Sequence, residues 1–277
     1  MISTQKSRVW FITGASTGFG RKLAEAVLAK GDRVVATARK EETLADLERQ
    51  YPNHGRAVRL DITDLTQVTA SVQAAINAFG RIDVLVNSAG AGLVGAVEEV
   101  SDAQIRQQFE TNIFGLLNVI RAVIPLLRQQ GSGHILNISG MGGQVSFPLA
   151  SIYHATKYAI EGISESLAKE VATFGIKVTI IEPGAFKTGF AGRSMTYAER
   201  IAAYQPVYGT MTKRFEPTGD PARAAQAMIQ AVGADVPPLR LALGADALHL
   251  VREKLNSELE EYERWESVTV ATAFEAR

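Results

Sequence analysis

The chain has 277 residues, long enough for one large α/β domain with a substantial core, although length alone would also permit two domains. Its 29 Lys and Arg balance 29 Asp and Glu, so no net field draws in nucleic acid or an acidic membrane. Cysteine is absent, which excludes a disulfide framework and a thiol nucleophile and fits a reducing cytoplasm.

The first residues, Met1 to Arg8, are polar, and the apolar run after them meets glycines at once, unlike a secretory leader. Val9–Ile12 reads as a buried strand and Arg21–Ala29 as the helix after it. A strand at Val34–Thr37, a helix at Glu41–Gln50, a strand at Ala57–Leu60 and a long helix from about Asp64 to Phe79 follow. Asp83–Val86 is a fourth strand; Ala103–Arg128 carries one or two helices, with Pro125 permitting a bend. No run there reaches the ~18 apolar residues of a membrane span, because Arg121 and Pro125 interrupt it. His134–Ile138 is a fifth strand, Ile152–Thr173 a helix and Lys177–Ile181 a sixth strand. Regularity then fades until a helix at Pro221–Val232, opened by Asp220 with proline at its first position. Leu239–Leu243 reads as a last strand and Ala245–Arg264 as a charged, solvated helix.

This alternation predicts βαβ units and a doubly wound parallel sheet of the Rossmann type, three layers α/β/α. No linker or repeat divides it, so residues 1–277 are expected to form a single domain. The least patterned stretch, about 186–217, is the expected substrate-facing flap.

Between the first strand and first helix lies Thr13-Gly14-Ala15-Ser16-Thr17-Gly18-Phe19-Gly20. Glycines there allow a tight turn and close approach of backbone to a pyrophosphate, whose charge suits the helix amino end. Gly14, Ser16, Thr17, Gly18, Phe19 and Gly20 are therefore expected to bind a dinucleotide. The second strand ends in Ala38-Arg39-Lys40, with no carboxylate before Glu41. A ribose 2′-hydroxyl wants an acidic residue at that point, whereas a 2′-phosphate wants a guanidinium, so Arg39 and Lys40 predict NADP(H) over NAD(H).

Tyr153 and Lys157 are four residues apart on a predicted helix and so share a face. A free phenol ionises near ~10, and an adjacent ammonium is expected to lower that value toward general acid/base work.

Together these residues resemble the short-chain dehydrogenase/reductase family over about Arg8 to Leu243. The markers are Thr13-Gly14-x-x-x-Gly18-x-Gly20, Asp61 in Leu60-Asp61-Ile62-Thr63-Asp64, Asn87-Ser88-Ala89-Gly90, Asn112, Tyr153-x-x-x-Lys157, and Pro183-Gly184 with Thr188. The resemblance implies a ketone/alcohol oxidoreductase, with Tyr153 exchanging the proton and Lys157 tuning it and holding the nicotinamide ribose. It implies that Asn112 positions a water for proton relay and that Asp61 and Ile62 sit at the adenine. It implies Asn87, Ala89 and Gly90 along the nucleotide, and Pro183, Gly184 and Thr188 at the nicotinamide. It also implies a homodimer or homotetramer joined through the Asn112 and Tyr153 helices.

One position departs from the pattern. Where the family usually carries a serine, thirteen residues before the tyrosine, this chain has Gly140, with Ser139 one residue earlier. Neighbours on a strand point to opposite faces, so Ser139 is not a guaranteed replacement as a catalytic residue. Three readings stay open: loop Gly140-Met141-Gly142-Gly143 brings Ser139 in; a backbone N–H or another side chain polarises the substrate; or catalysis is lost and the protein is an NADP(H)-binding sensor or partner. Losing one such donor costs ~10²–10³ in rate, which leaves a detectable enzyme.

Met141, Phe147, Pro148, Leu149, Phe186, Phe190, Met195, Tyr197, Met211 and Phe215 gather in the loops expected near the nicotinamide. They describe either an apolar pocket for a bulky carbonyl or the packing of the flap on the core. The histidines, His54, His134, His154 and His249, lack metal-ligand spacing, so no metal is expected. His154 is rotated away from Tyr153 on the helix and is expected to be structural or at the surface. No Gly-x-Ser-x-Gly elbow supports a hydrolase.

Overall fold

A computed structural model describes residues 7–211 and 217–274. The strands are β1 (Val9–Ile12), β2 (Arg33–Ala38), β3 (Gly55–Arg59), β4 (Val84–Asn87), β5 (Gly92–Val94), β6 (Gly133–Ile138), β7 (Ile176–Pro183), β8 (Met195–Tyr197) and β9 (Arg240–Leu243). The helices are α1 (Gly18–Ala29), α2 (Ala45–Gln50), α3 (Leu65–Phe79), α4 (Asp102–Phe109), α5 (Gly115–Gln130), α6 (Ser151–Val171), α7 (Phe190–Arg193), α8 (Gln205–Met211), α9 (Pro221–Gly233) and α10 (Ala245–Val270).

Seven strands form one parallel sheet in the order β3-β2-β1-β4-β6-β7-β9. The chain winds outward from β1 to β3, then returns to β4 and winds the other way. That reversal opens a crevice beyond the carboxyl ends of β1 and β4, where ligands bind in such sheets. Side chains alternate across the strands as period two demands. Trp10, Ile12, Val34, Ala36, Val84 and Val86 join a core layer with α1 and α9. Phe11, Val35, Leu85 and Ile135 face the opposite layer, built with α3, α5 and α6. The expected doubly wound sheet with helices on both faces is what the chain forms.

Local chemistry sets the helix starts. Asp64 accepts from the N–H groups of Thr66 and Gln67 at the head of α3, and Ser101 with Gln104 closes a capping box on α4. Asp220 caps α9, with Pro221 behind it as expected.

Three features differ from the sequence-based expectation. Ala103–Arg128 is α4 and α5 joined by a π-helical turn at Glu110–Phe114, and α5 runs through Pro125 to Gln130. The continuous stretch Asp102–Gln130 has the length and apolarity of a membrane span, yet Leu116, Val119, Ile120, Val123 and Leu127 are core residues. The flap is also more ordered than its pattern: α7, β8 and α8 lie within it, and β8 pairs in parallel with β5. Elements of three to seven residues are too short for periodicity to register. Helix α10 continues six residues past Arg264 to Val270, because nothing between them breaks a helix.

Candidate active site

The β1–α1 turn closes against the β4 exit loop. Gly14 has φ +66°, and a Cβ there would lie 2.8 Å from Ala89 Cα; one on Gly20 would lie 2.6 Å from the Gly14 carbonyl oxygen. Both glycines are therefore packing requirements. Thr13 Oγ1 accepts from the N–H groups of Ser88 and Ala89 at 3.0 and 3.1 Å, tying the two loops together. Helix α1 opens after Thr17 with no side-chain cap and no acidic residue in its first turn. Its amino end thus presents N–H groups and a positive dipole, which fits a pyrophosphate. Ser16 and Gly18 border this turn, with Gly18 across from Thr188: a Cβ would meet Thr188 Cβ at 3.6 Å. Phe19 packs edge-on against Phe186, 5.1 Å between ring centres, and joins the turn to the root of the flap.

At the end of β2, Arg39 and Lys40 are exposed, and neither side chain has an ion pair or hydrogen bond among the described residues. Asp61 is committed locally: its Oδ1 accepts from Thr63 N–H and Oγ1 at 3.0 and 2.7 Å. Ile62 packs against Gly115 on α5, and its carbonyl accepts from Asn118. Asn87 donates to Asn137 Oδ1, which sits opposite it across β4 and β6; Asn137 in turn donates to Ser164 on α6, each at 2.8 Å. Asn87 Oδ1 is buried without a partner among the described residues. Gly90 lies beside Asn112, whose Oδ1 would be 3.4 Å from a Cβ there.

Asn112 sits in the π turn, 2% exposed. Its amide grips the Ala91 backbone from both sides, accepting from N–H at 2.8 Å and donating to the carbonyl at 2.9 Å, and it donates to Thr156 Oγ1 at 3.0 Å. The wider turn lets one side chain clasp both the β4–β5 loop and α6.

Tyr153 and Lys157 do share a face of α6. The ammonium, 6% exposed, donates to the Ile138 carbonyl at 2.9 Å and lies over the Tyr153 ring, 5.6 Å from its centre. Burial pushes the phenol above its ordinary value, the reverse of the lowering expected from the spacing. Lys157 meets the ring face and makes no hydrogen bond to the hydroxyl. Burial pushes Lys157 down to about 8, against the pull of Glu161.

Ser139 and Gly140 take different directions. Ser139, 3% exposed, lies under α6, with Oγ 3.5 Å from the Lys157 carbonyl. Its hydroxyl is thereby turned from the Tyr153 side, as strand alternation dictates. Gly140 is the residue that faces the phenol: a Cβ there would lie 4.0 Å from Tyr153 Oη. Its φ of +145° is one that side-chain-bearing residues rarely adopt, so the conformation itself favours glycine.

A cavity of ≈ 250 Å³ opens beside Tyr153, bounded by Leu93 and Val94 of β5, Met141, Phe147, Pro148 and Met195 of β8. Pro183 and Gly184 close it on the β7 side. Of the apolar loop residues, Leu149 is instead buried with φ +65°, Phe186 packs on Phe19, and Tyr197 is exposed. Phe190 stands 6.0 Å from the Tyr153 ring, and Thr188 Oγ1 accepts from its N–H at 3.4 Å. Phe215 and the Met211 side chain lie outside the described residues.

Several site residues had no signal in the sequence. His154, expected to be turned from the site, is in the cavity wall, because loop 140–148 folds back over this turn of α6. Glu99 anchors the flap, accepting from Ala96 N–H, Tyr208 Oη and Ile201 N–H. Behind the loop, Arg240 bridges Glu161 and Glu165 at 3.0 and 2.8 Å and approaches Glu182 at 3.7 Å. Gln144 donates to Glu182, whose carboxyl burial and the neighbouring Glu161 raise to about 7. Long-range groupings of this kind have no fixed spacing to read.

The family model for short chain dehydrogenase matches residues 8–197. The chain is 39% identical to "Oxidoreductase BOA17" of Botryotinia fuckeliana, over 96% of this chain and 100% of the relative. A crystal structure of a short-chain dehydrogenase from Streptomyces avermitilis superposes with a TM-score of 0.93 at 45% identity, covering 97% of this chain and 100% of the other. A short chain dehydrogenase/reductase from Burkholderia phymatum, solved in complex with NAD, gives 0.77 at 25% identity, covering 91% and 95% of the two chains.

Proposed function

The chain belongs to the short-chain dehydrogenase/reductase family, and on that premise we propose that it interconverts an apolar carbonyl and its secondary alcohol with NADP(H), Tyr153 serving as acid/base. The observation that carries the reading is the place of Tyr153: it lines an apolar cavity, and Phe190 beside its ring is joined to Thr188, which meets Gly18 of the glycine turn. Bound NADP(H) supplies or takes up the hydride at the carbonyl carbon.

In reduction, Tyr153 Oη gives its proton to the carbonyl oxygen as the C=O double bond becomes a single bond; in oxidation it takes the proton back. A phenol raised by burial is held protonated at neutral pH, the form that reduction requires. Lys157 keeps a positive charge on the ring face, where it offsets the phenolate left behind. Asn112 and Thr156 fix this turn of α6, and the carbon-lined cavity excludes water from the proton transfer.

Arg39 and Lys40 support NADP(H) over NAD(H), since a 2′-phosphate would meet two cations that have no other partner among the described residues. The reading takes the chain as one domain with residues 186–217 as its flap, working in the cytoplasm on a small molecule as a homodimer or homotetramer.

The test is a panel of apolar ketones and alcohols with each cofactor, followed by the near-ultraviolet absorbance of the reduced nicotinamide. Tyr153→Phe is expected to lower kcat at least ~10²-fold with cofactor binding intact; unchanged turnover would refute the mechanism. Arg39→Ala is expected to weaken NADPH binding about tenfold or more and NADH little. Equal losses would remove the 2′-phosphate role, and cofactor binding without turnover on any compound would favour the sensor.

A further inference from the structure

The cavity beside Tyr153 is walled almost wholly by carbon, and its two nearest serine positions offer nothing to a substrate: position 140 is glycine and Ser139 turns under α6. One polar ring does reach the wall. His154 is 5% exposed and borders the cavity. Its Nδ1 accepts the Phe147 backbone N–H at 3.1 Å. A ring nitrogen that accepts a hydrogen bond carries no proton, so in the neutral imidazole the proton is on Nε2. Burial lowers the ring's pKa and keeps it neutral.

The ring is also fixed in orientation. Phe147 meets it edge-on, 5.6 Å between centres, and the Phe147 N–H holds one nitrogen. Nε2 lies against Gly142, where an added Cβ would be 3.1 Å from Nε2 and 3.8 Å from Tyr153 Cε1. A Cβ there would also come within 2.8 Å of the imidazole Cδ2, so the imidazole packs directly on Gly142, with the edge of the Tyr153 ring nearby. Among the described residues Nε2 has no hydrogen-bond partner. The Nε2–H is thereby left to pair with an acceptor oxygen of whatever occupies the cavity.

We propose that His154 Nε2–H is the substrate-binding donor of this cavity, hydrogen-bonding an oxygen of the carbonyl or alcohol in the role that position 140 does not fill. The assignment rests on the carbonyl/alcohol reading above. It defines the substrate as uncharged and mostly apolar, with an acceptor oxygen presented to the Tyr153–His154 turn.

The test uses the full chain saturated with NADP+, ring-labelled at histidine and methyl-labelled at methionine, titrated with acetophenone and then with ethylbenzene. Nitrogen NMR is expected to give His154 as the neutral Nε2–H tautomer. Acetophenone should shift the Nε2 resonance, whereas ethylbenzene should not, although both move the Met141 and Met195 methyls. A proton on Nδ1, or an Nε2 signal unmoved while acetophenone occupies the cavity, would overturn the proposal. If acetophenone leaves the methyls unmoved, both the proposal and the carbonyl reading on which it rests fail for this probe class.

Kinetics separate the two. His154→Phe, which keeps a ring but no donor, is expected to lower kcat/KM for ketones about 10–100-fold with cofactor affinity unchanged. His154→Gln, which returns an N–H near the Nε2 position, should recover most of that loss. Wild-type kcat/KM in His154→Phe, alongside loss of activity in Tyr153→Phe, would overturn the histidine's role and leave the acid/base reading standing.

Discussion

Glu182 carries a carboxyl into the end of the sheet, where Glu161 is its neighbour and Arg240 serves both. Burial, then Glu161, raise it from 4.5 to about 7, while Gln144 and Arg240 oppose the shift. A carboxyl raised in the folded state binds a proton there that the unfolded chain has already released. Stability is therefore expected to fall as pH rises from 4.5 to about 7, with the full penalty present above that window. Glu182→Gln keeps an acceptor for Gln144 and leaves Arg240 its two other partners. It should flatten that slope and gain about 1–3 kcal/mol at alkaline pH, read from thermal melts across the pH range. A variant that melts lower than wild type at alkaline pH would show that the charged form is the one the fold uses.

Among elements, α10 reaches the cavity wall through Asp246 in its first turn. Asp246 accepts the Ala185 N–H at 2.7 Å, and Gly184 and Gly244 lack the Cβ atoms that would collide with its carboxylate. The helix thus holds the turn that carries Pro183 and Gly184 along the cavity. Asp246→Ala is expected to cost about 1–3 kcal/mol, because a charge-assisted bond is lost and the N–H left behind is partly buried. It should also raise KM for ketone more than it lowers kcat, since it loosens a wall and leaves Tyr153 in place. Denaturant melts with steady-state kinetics check both, and Asp246→Asn should lie between. The π turn at Asn112 works similarly: it orients a clasp on Ala91 and on Thr156 of α6.

For the whole molecule, the sheet and its two core layers were legible because Val9–Ile12 and its counterparts repeat the same period and because turn glycines and caps mark the element ends. The glycine turn after β1 and the shared face of Tyr153 and Lys157 were legible for the same reason: both show as fixed spacings along the chain. What the sequence could not give was direction. Burial reverses the shift expected for Tyr153, while Lys157 settles on a carbonyl and a ring face. His154 enters the wall because a loop eleven or so residues upstream folds over it, and Glu161, Glu182 and Arg240 meet from three elements. The elements inside the 186–217 stretch were not legible for lack of length, since β8 is held by its partner β5 and not by its own pattern.

That small ladder has a consequence for how the protein can diversify. Gly92 pairs with Met195, Leu93 with Thr196 and Val94 with Tyr197, and a Cβ on Gly92 would intrude on Met195. Two sides of the cavity are thereby one inherited unit. A lineage that trades one ligand for a larger one must alter residues about a hundred positions apart together, and an engineer who randomises either strand alone will mostly recover misfits.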